Sequence, residues 1–216
     1  ELAWQLEHLA CRFLVSGEAL ADKVAEIDLP GLTIINLDDP AAPADTWAPD
    51  PLKSSPAQPG AAPALENLQA AVFTSGTTGR PKAVQISFGN HFFSASASAF
   101  RLGLQPGDRW LAPLPLYHVG GLALVFRCLL YGIPLVLQAP SRSFDPQALL
   151  ECIERDQVTI VSLVPTMLER LLEIPGGAQS LVRLRFILLG GAAAQQGMLE
   201  QSLAAGMNLA LTYGMT

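Results

Sequence analysis

Nine consecutive residues, Thr74-Ser75-Gly76-Thr77-Thr78-Gly79-Arg80-Pro81-Lys82, carry the densest chemistry in the chain. Gly76 and Gly79 let the backbone turn tightly and aim N–H groups at an anion. The hydroxyls of Thr74, Ser75, Thr77 and Thr78 offer further donors, and Lys82 adds a point charge suited to phosphate oxygens. Together they make a cradle for a triphosphate tail. The loop is not a Walker A motif, which needs G-x-x-x-x-G-K-S/T running into a helix, and the chain has no H-R-D or D-F-G kinase element.

Three later segments add candidates. Leu114-Pro-Leu-Tyr-His-Val-Gly-Gly121 puts His118 in an apolar loop directly after a strand. Leu188-Leu-Gly-Gly-Ala-Ala193 follows another apolar run, and Gly190 and Gly191 permit a flat ring to approach the backbone. Thr212-Tyr-Gly-Met-Thr216 supplies an aromatic ring and two hydroxyls.

These segments need a scaffold, and hydrophobic periodicity predicts one. Leu2, Leu6, Leu9 and Phe13 recur at helical spacing, giving a helix over 2–12. Short buried strands are predicted at 13–16 and 33–37 around a helix at 18–25, a βαβ-like unit. Residues 39–64 hold seven of the seventeen prolines and read as an extended surface linker. Beyond Leu68 the pattern is dense. Strands are expected at 70–75, 83–87, 109–115, 133–138, 159–164, 185–191 and 208–214. Helices are expected at 89–101, 119–131, 145–155, 165–174 and 195–205. Met167, Leu168, Leu171 and Leu172 form one apolar face. Apolar strands alternating with helices mean an α/β fold of layered, mostly parallel sheets covered by helices. Ligands in such sheets bind at the carboxyl ends of strands, and all the candidate loops follow strands.

Composition narrows the function. Half of the 216 residues are hydrophobic and 15% are charged, too apolar for a disordered chain. Net charge is −6 with no basic block, which argues against nucleic-acid binding and polybasic membrane docking. Residues 119–137 are long enough to span a bilayer. However, Arg127 sits near the middle, where a charge costs about 2.5–3.5 kcal/mol, and Gly132 and Pro134 interrupt the run. A buried helix, a turn and a buried strand are expected instead. Cys11, Cys128 and Cys152 form no C-x-x-C pair, and with the scattered His8, His91 and His118 they point to idle thiols in a reducing cytoplasm and to no protein metal site.

The string T-S-G-T-T-G-R-P-K resembles the phosphate-binding signature of the adenylate-forming superfamily, which includes acyl- and aryl-CoA synthetases, luciferases and the adenylation domains of peptide synthetases. Leu114 to Gly121 resembles the P-L-F/Y-H motif of its CoA ligases, and Tyr117-His118 stands where the amino-acid-activating branch has Phe-Asp. Thr212 to Thr216 resembles Y-G-x-T-E. The resemblance implies ATP, Mg²⁺ and CoA as reactants and a small carboxylic acid as substrate. It implies that Thr74, Ser75, Gly76, Thr77, Thr78, Gly79 and Lys82 hold the phosphates. It sets Gly190, Gly191, Ala192, Tyr213 and Gly214 against adenine, and His118, Lys82 and Thr216 near the reacting centre.

The string Tyr117 to Gly121, with Val161-Ser-Leu-Val-Pro-Thr-Met167 and L-L-G-G-A-A, looks most like the o-succinylbenzoate–CoA ligase branch of menaquinone biosynthesis. Another aryl- or fatty-acyl-CoA ligase, and a non-catalytic nucleotide-binding module, are the alternatives. The resemblance divides the chain into a partial N-terminal α/β subdomain (1–38), a linker (39–66) and an ATP- and acid-binding core (67–216). The superfamily's magnesium-binding Glu, ribose-binding Asp and C-terminal domain with its Lys are not in this sequence, so an incomplete large domain, inactive alone, is expected.

Overall fold

The computed structural model describes residues 1–39, 63–74, 81–138, 143–214 and 216. The chain divides into two compact units, Glu1–Ala62 and Pro63–Thr216. Most of the predicted linker, and residues 75–80 of the phosphate loop, lie outside the described residues.

The first unit contains α1 (Leu2–His8), β1 (Phe13–Ser16), a 3-10 turn (Glu18–Leu20), α2 (Ala21–Ala25) and β2 (Thr33–Asn36). β1 and β2 pair in parallel, from Phe13↔Thr33 to Ser16↔Asn36, as the βαβ reading expects. Helix α1 stops short of the predicted residue 12. Ala10 turns into the left-handed region at φ 49°, and the Cys11 N–H bonds back to the Leu6 carbonyl. The strands were expected to be buried, but Phe13, Val15 and Ile34 are exposed. Among the described residues β1 and β2 pair only with each other, and a short apolar run does not say whether anything covers it.

The second unit opens with β3 (Leu68–Thr74) and β4 (Lys82–Ser87), an antiparallel hairpin running from Leu68↔Ser87 to Thr74↔Lys82. Helix α3 (Phe88–Leu102) starts where β4 ends. Ser87 and Asn90 form a reciprocal capping box, which satisfies N–H groups that the first helical turn leaves unpaired.

The remaining elements are β5 (Trp110–Ala112), α4 (Val119–Tyr131), β6 (Leu135–Leu137), α5 (Pro146–Arg155), β7 (Ile160–Leu163), α6 (Pro165–Leu172), α7 (Gly177–Val182), β8 (Phe186–Leu189), α8 (Gln196–Ala204) and β9 (Leu209–Leu211). The short α7 was not predicted. The position of Gly177 is set by packing: a Cβ there would lie 2.0 Å from the Leu171 carbonyl oxygen. Such a neighbour is invisible to periodicity.

The five strands pair in parallel in the order β6-β5-β7-β8-β9. Pleating sends alternate residues to opposite faces. Leu111, Val161, Leu163, Ile187 and Leu189 meet residues of α5–α8, including Leu149, Leu168, Leu171 and Leu181. Trp110, Ala112, Ile160, Phe186 and Leu188 meet Leu124 and Cys128 of α4. The α/β reading with helices on both faces is borne out. Helix α4 is only partly buried, however: Gly121, Leu124 and Cys128 face inward while Leu129 and Leu130 are exposed. Among the described residues, no helix is long and apolar enough to cross a membrane.

Candidate functional site

Parallel pairing brings the carboxyl ends of β5, β7, β8 and β9 to one edge. Strand order reverses there, because β6 lies on one side of β5 while β7, β8 and β9 extend on the other. A crevice at such a switch point is where open α/β sheets take their ligands.

The turn after β8 and the end of β9 are locked together at this edge. The Gly190 N–H donates to the Leu163 carbonyl (3.1 Å), and the Thr212 N–H donates to the Leu189 carbonyl (2.9 Å). A Cβ on Gly190 would lie 2.4 Å from Thr212 Cγ2. Gly191 takes φ +83°, which favours glycine, and sits against Val164. The sequence pointed to a ring approaching these glycines. The structure gives Gly190 a reason inside the protein, the side chain of the next strand. Ala192, Tyr213, Gly214 and Thr216 are exposed beside this contact, Tyr213 at 89%.

His118 is the residue before the first turn of α4, in extended conformation. Its carbonyl accepts from the Leu122 N–H (2.9 Å) and its own N–H donates to the Pro115 carbonyl (3.1 Å). The imidazole is exposed, touches the Tyr117 ring with centroids 4.6 Å apart, and makes no side-chain cap. Gly121 fixes the loop, since a Cβ there would lie 2.2 Å from the Pro115 oxygen. Gly121 therefore lets the helix start fold closely over the Pro-Leu-Tyr-His turn.

The phosphate-loop ends, Thr74 and Lys82, are cross-strand partners in the hairpin, and Thr74 Oγ1 donates to the Lys82 carbonyl (3.5 Å). The loop thus leaves one strand and returns along its neighbour, as expected. Ser75, Gly76, Thr77, Thr78 and Gly79 lie outside the described residues. The hairpin base is tied to the sheet through helices: Phe88 and His91 of α3 meet Phe126 of α4, with ring centroids at 6.4 and 3.8 Å.

Sequence reasoning used Arg127 only against a membrane span. The structure shows a guanidinium whose Nε is buried without a hydrogen-bond partner among the described residues. Its Cζ lies 5.7 Å from the Trp110 ring centroid. Burial lowers its pKa, and the neighbouring Tyr131 and Cys128 oppose that shift. The available signal was a single cation in an apolar helix. Cys128 and Cys152 are buried thiols pushed up to about 11, chiefly by burial. Among the described residues no three His, Cys, Asp or Glu side chains cluster to hold a metal.

A parallel α/β sheet with glycine turns at its carboxyl edge, and with a histidine and a tyrosine exposed there, is the architecture of proteins that take a ligand at that edge. The chain belongs to the AMP-binding enzyme family, whose model matches residues 1–216. It is 44% identical over 156 residues to the 2-succinylbenzoate–CoA ligase of Bacillus pumilus, covering 70% of this chain and 30% of that one. It is 33% identical over 220 residues to the ligase of the same name from Listeria monocytogenes serotype 4b, covering all of this chain and 42% of that one. Its fold resembles the o-succinylbenzoate coenzyme A synthetase of Bacillus subtilis solved with ATP and magnesium ion. That match has TM-score 0.76 and 34% identity, covering 99% of this chain and 42% of the other. The chain thus spans 30–42% of the length of these relatives.

Proposed function

We propose that the protein of which this chain is part is an ATP-dependent acid–CoA ligase acting on o-succinylbenzoate in the cytoplasm. The observation that carries the reading is the carboxyl edge of the five-stranded sheet, where the turns after β5, β7, β8 and β9 converge beside the switch point. The relatives' names and the family match support it. In this reading residues 67–216 are the ATP- and acid-binding core, residues 1–38 part of a further subdomain, and 39–66 the linker between them.

Two half-reactions follow. In the first, the acid's carboxylate attacks the α-phosphorus of ATP and pyrophosphate leaves. The protein's task is alignment and neutralisation of developing charge. Thr74 to Lys82 hold the β- and γ-phosphates, and Tyr213 with Gly190, Gly191, Ala192 and Gly214 holds adenine. His118 and Thr216 stand beside the reacting carboxylate and α-phosphate. In the second, the thiol of CoA attacks the acyl carbon and AMP leaves. Among the described residues no cluster of His, Cys, Asp or Glu would cage a cation, so Mg²⁺ would come to the site carried on the nucleotide. It would supply positive charge to screen the phosphates that Thr216 and the phosphate loop would hold.

o-Succinylbenzoate has two carboxylates, and only one reacts. The second is matched by a cation, and Arg127 carries a buried Nε that has no hydrogen-bond partner among the described residues. It lies nine positions after His118 on the same helix, about 13 Å along the axis. Helical side chains lean toward the N-terminus, which shortens that gap.

The test is acid-dependent pyrophosphate release by the full-length protein over a panel of aryl, fatty and dicarboxylic acids, with the thioester followed by mass spectrometry. o-Succinylbenzoate should be preferred, and Arg127→Met should raise its KM by on the order of tenfold or more while sparing ATP. Preference for a monocarboxylic acid would favour another ligase. ATP binding without turnover on any acid would favour a non-catalytic module.

A further inference from the structure

His91 is 4% exposed and belongs to none of the motifs above. It lies in the first turn of α3, which the Ser87–Asn90 capping box joins rigidly to the end of β4. Its Nε2 is 3.0 Å from Gln69 Oε1, at the start of β3. Its ring stacks on Phe126 of α4, with centroids 3.8 Å apart and planes 10° from parallel. One side chain therefore touches both the hairpin that carries the phosphate loop and the helix that starts at His118. Phe126 is also the residue before Arg127.

A residue that only filled this space would be apolar, because a buried polar nitrogen is costly unless paired. Histidine combines a flat face for Phe126 with a hydrogen-bonding edge for Gln69. Leu and Phe supply at most one of these contacts. The far end of the helix pair has its own tie, from the Tyr131 hydroxyl to the Ala95 carbonyl. The two ties together prevent α4 from sliding or rolling on α3.

We propose that His91 is a positioning residue for adenylation: by bonding Gln69 and stacking on Phe126, it sets the register of the acid-binding helix α4 against the phosphate hairpin. The inference rests on the ligase reading. The first half-reaction is a direct displacement, so its rate depends on the attack distance between a carboxylate held from α4 and a phosphate held from the hairpin. Misplacement by about 1 Å costs on the order of a hundredfold in such a step. Binding of either substrate alone does not depend on that distance.

The test uses the full-length protein in single-turnover acyl-adenylate formation, with active sites counted by calorimetric ATP binding. His91→Leu and Phe126→Leu should each slow adenylation about ten- to hundredfold per active site, with the Kd for ATP changed by less than about threefold. His91→Phe, which keeps the stacking ring but loses the bond to Gln69, should fall between the wild type and His91→Leu. The double variant His91→Leu/Phe126→Leu should be no slower than the slower single one, because the two act as a unit. Wild-type rates per active site in both Leu variants would overturn the proposal and leave His91 a packing residue. If His91→Leu does not fold, Phe126→Leu decides: a wild-type rate per active site there overturns the proposal. A wild-type protein that forms no acyl-adenylate with any acid overturns the ligase reading and this inference together. Normal wild-type turnover with unaffected variants overturns this inference alone.

Discussion

At the amino edge of the five-stranded sheet, Asp108 is 2% exposed and its carboxylate accepts four hydrogen bonds. Arg185 donates two, at 2.8 and 2.7 Å, and the Thr159 hydroxyl and the Gln105 N–H donate the others. Arg185 further donates to the Leu102 and Gly103 carbonyls. At the carboxyl edge, His118, Tyr213 and Thr216 are exposed, and among the described residues their side chains accept or donate no hydrogen bond. Both edges are rich in polar groups. Those at one edge satisfy one another and need no ligand. Those at the other have no partner among the described residues, and the backbone beside them is packed closely at Gly121 and Gly190. Polarity alone does not separate a structural node from a binding site; the state of its partners does.

The contrast breaks most severely at the amino edge. Arg185→Met would leave Asp108 a buried carboxylate without its cation. In the full-length protein this should cost about 3–5 kcal/mol in denaturant unfolding, with ATP affinity of the remaining folded protein unchanged. A loss of ATP binding without loss of stability would reverse the roles assigned to the two edges.

His118→Ala is the counterpart at the carboxyl edge. Acyl-adenylate formation should slow on the order of a hundredfold, while unfolding free energy should move by no more than about 0.5 kcal/mol, as for exposed positions away from special contacts. A large stability loss at normal specific activity would make His118 a structural residue instead.

Gly190→Ala sharpens the comparison by attacking packing and not a polar group. The new methyl would overlap Thr212. It should destabilise by about 1–3 kcal/mol, as overpacking does, and weaken ATP binding, because Tyr213 follows Thr212 directly. The companion Gly190→Ala/Thr212→Ser removes the Cγ2 that the methyl would meet and should recover part of both losses.

The smallest effect is on pH. Burial holds His91 below its ordinary pKa of 6.5. The unfolded chain therefore binds this proton more readily, and stability falls as pH drops from 6.5 toward the lowered native value. Melting temperature measured between about pH 7.5 and 5.5 should decline less in His91→Phe than in the wild type. Equal slopes would show that His91 contributes nothing to the acid sensitivity.

Much of this was legible in the residues themselves. Alternating apolar runs and helical periodicity placed every strand of the five-stranded sheet and all its helices except α7, because side-chain period and burial are local consequences of backbone geometry. Pro165 and Pro146 opened helices as their fixed φ requires. The composition from Thr74 to Lys82, dense in hydroxyls and glycines and ending in Lys, was what marked it as a candidate anion cradle.

Other features depended on what came to lie beside what. Asp108 and Arg185 are 77 positions apart, and nothing in either neighbourhood announces the pair. The Nε of Arg127, buried without a partner among the described residues, the stack of His91 on Phe126 and the occupancy of Gly190's missing side chain by Thr212 are likewise facts about neighbours distant in sequence. Nor could apolar strands at 13–16 and 33–37 disclose that they would be exposed. Local sequence determines backbone preference and the chemical repertoire of each segment. Only the packed fold decides which polar groups are already satisfied and which are left for a ligand, because satisfaction depends on pairs that chain connectivity does not specify.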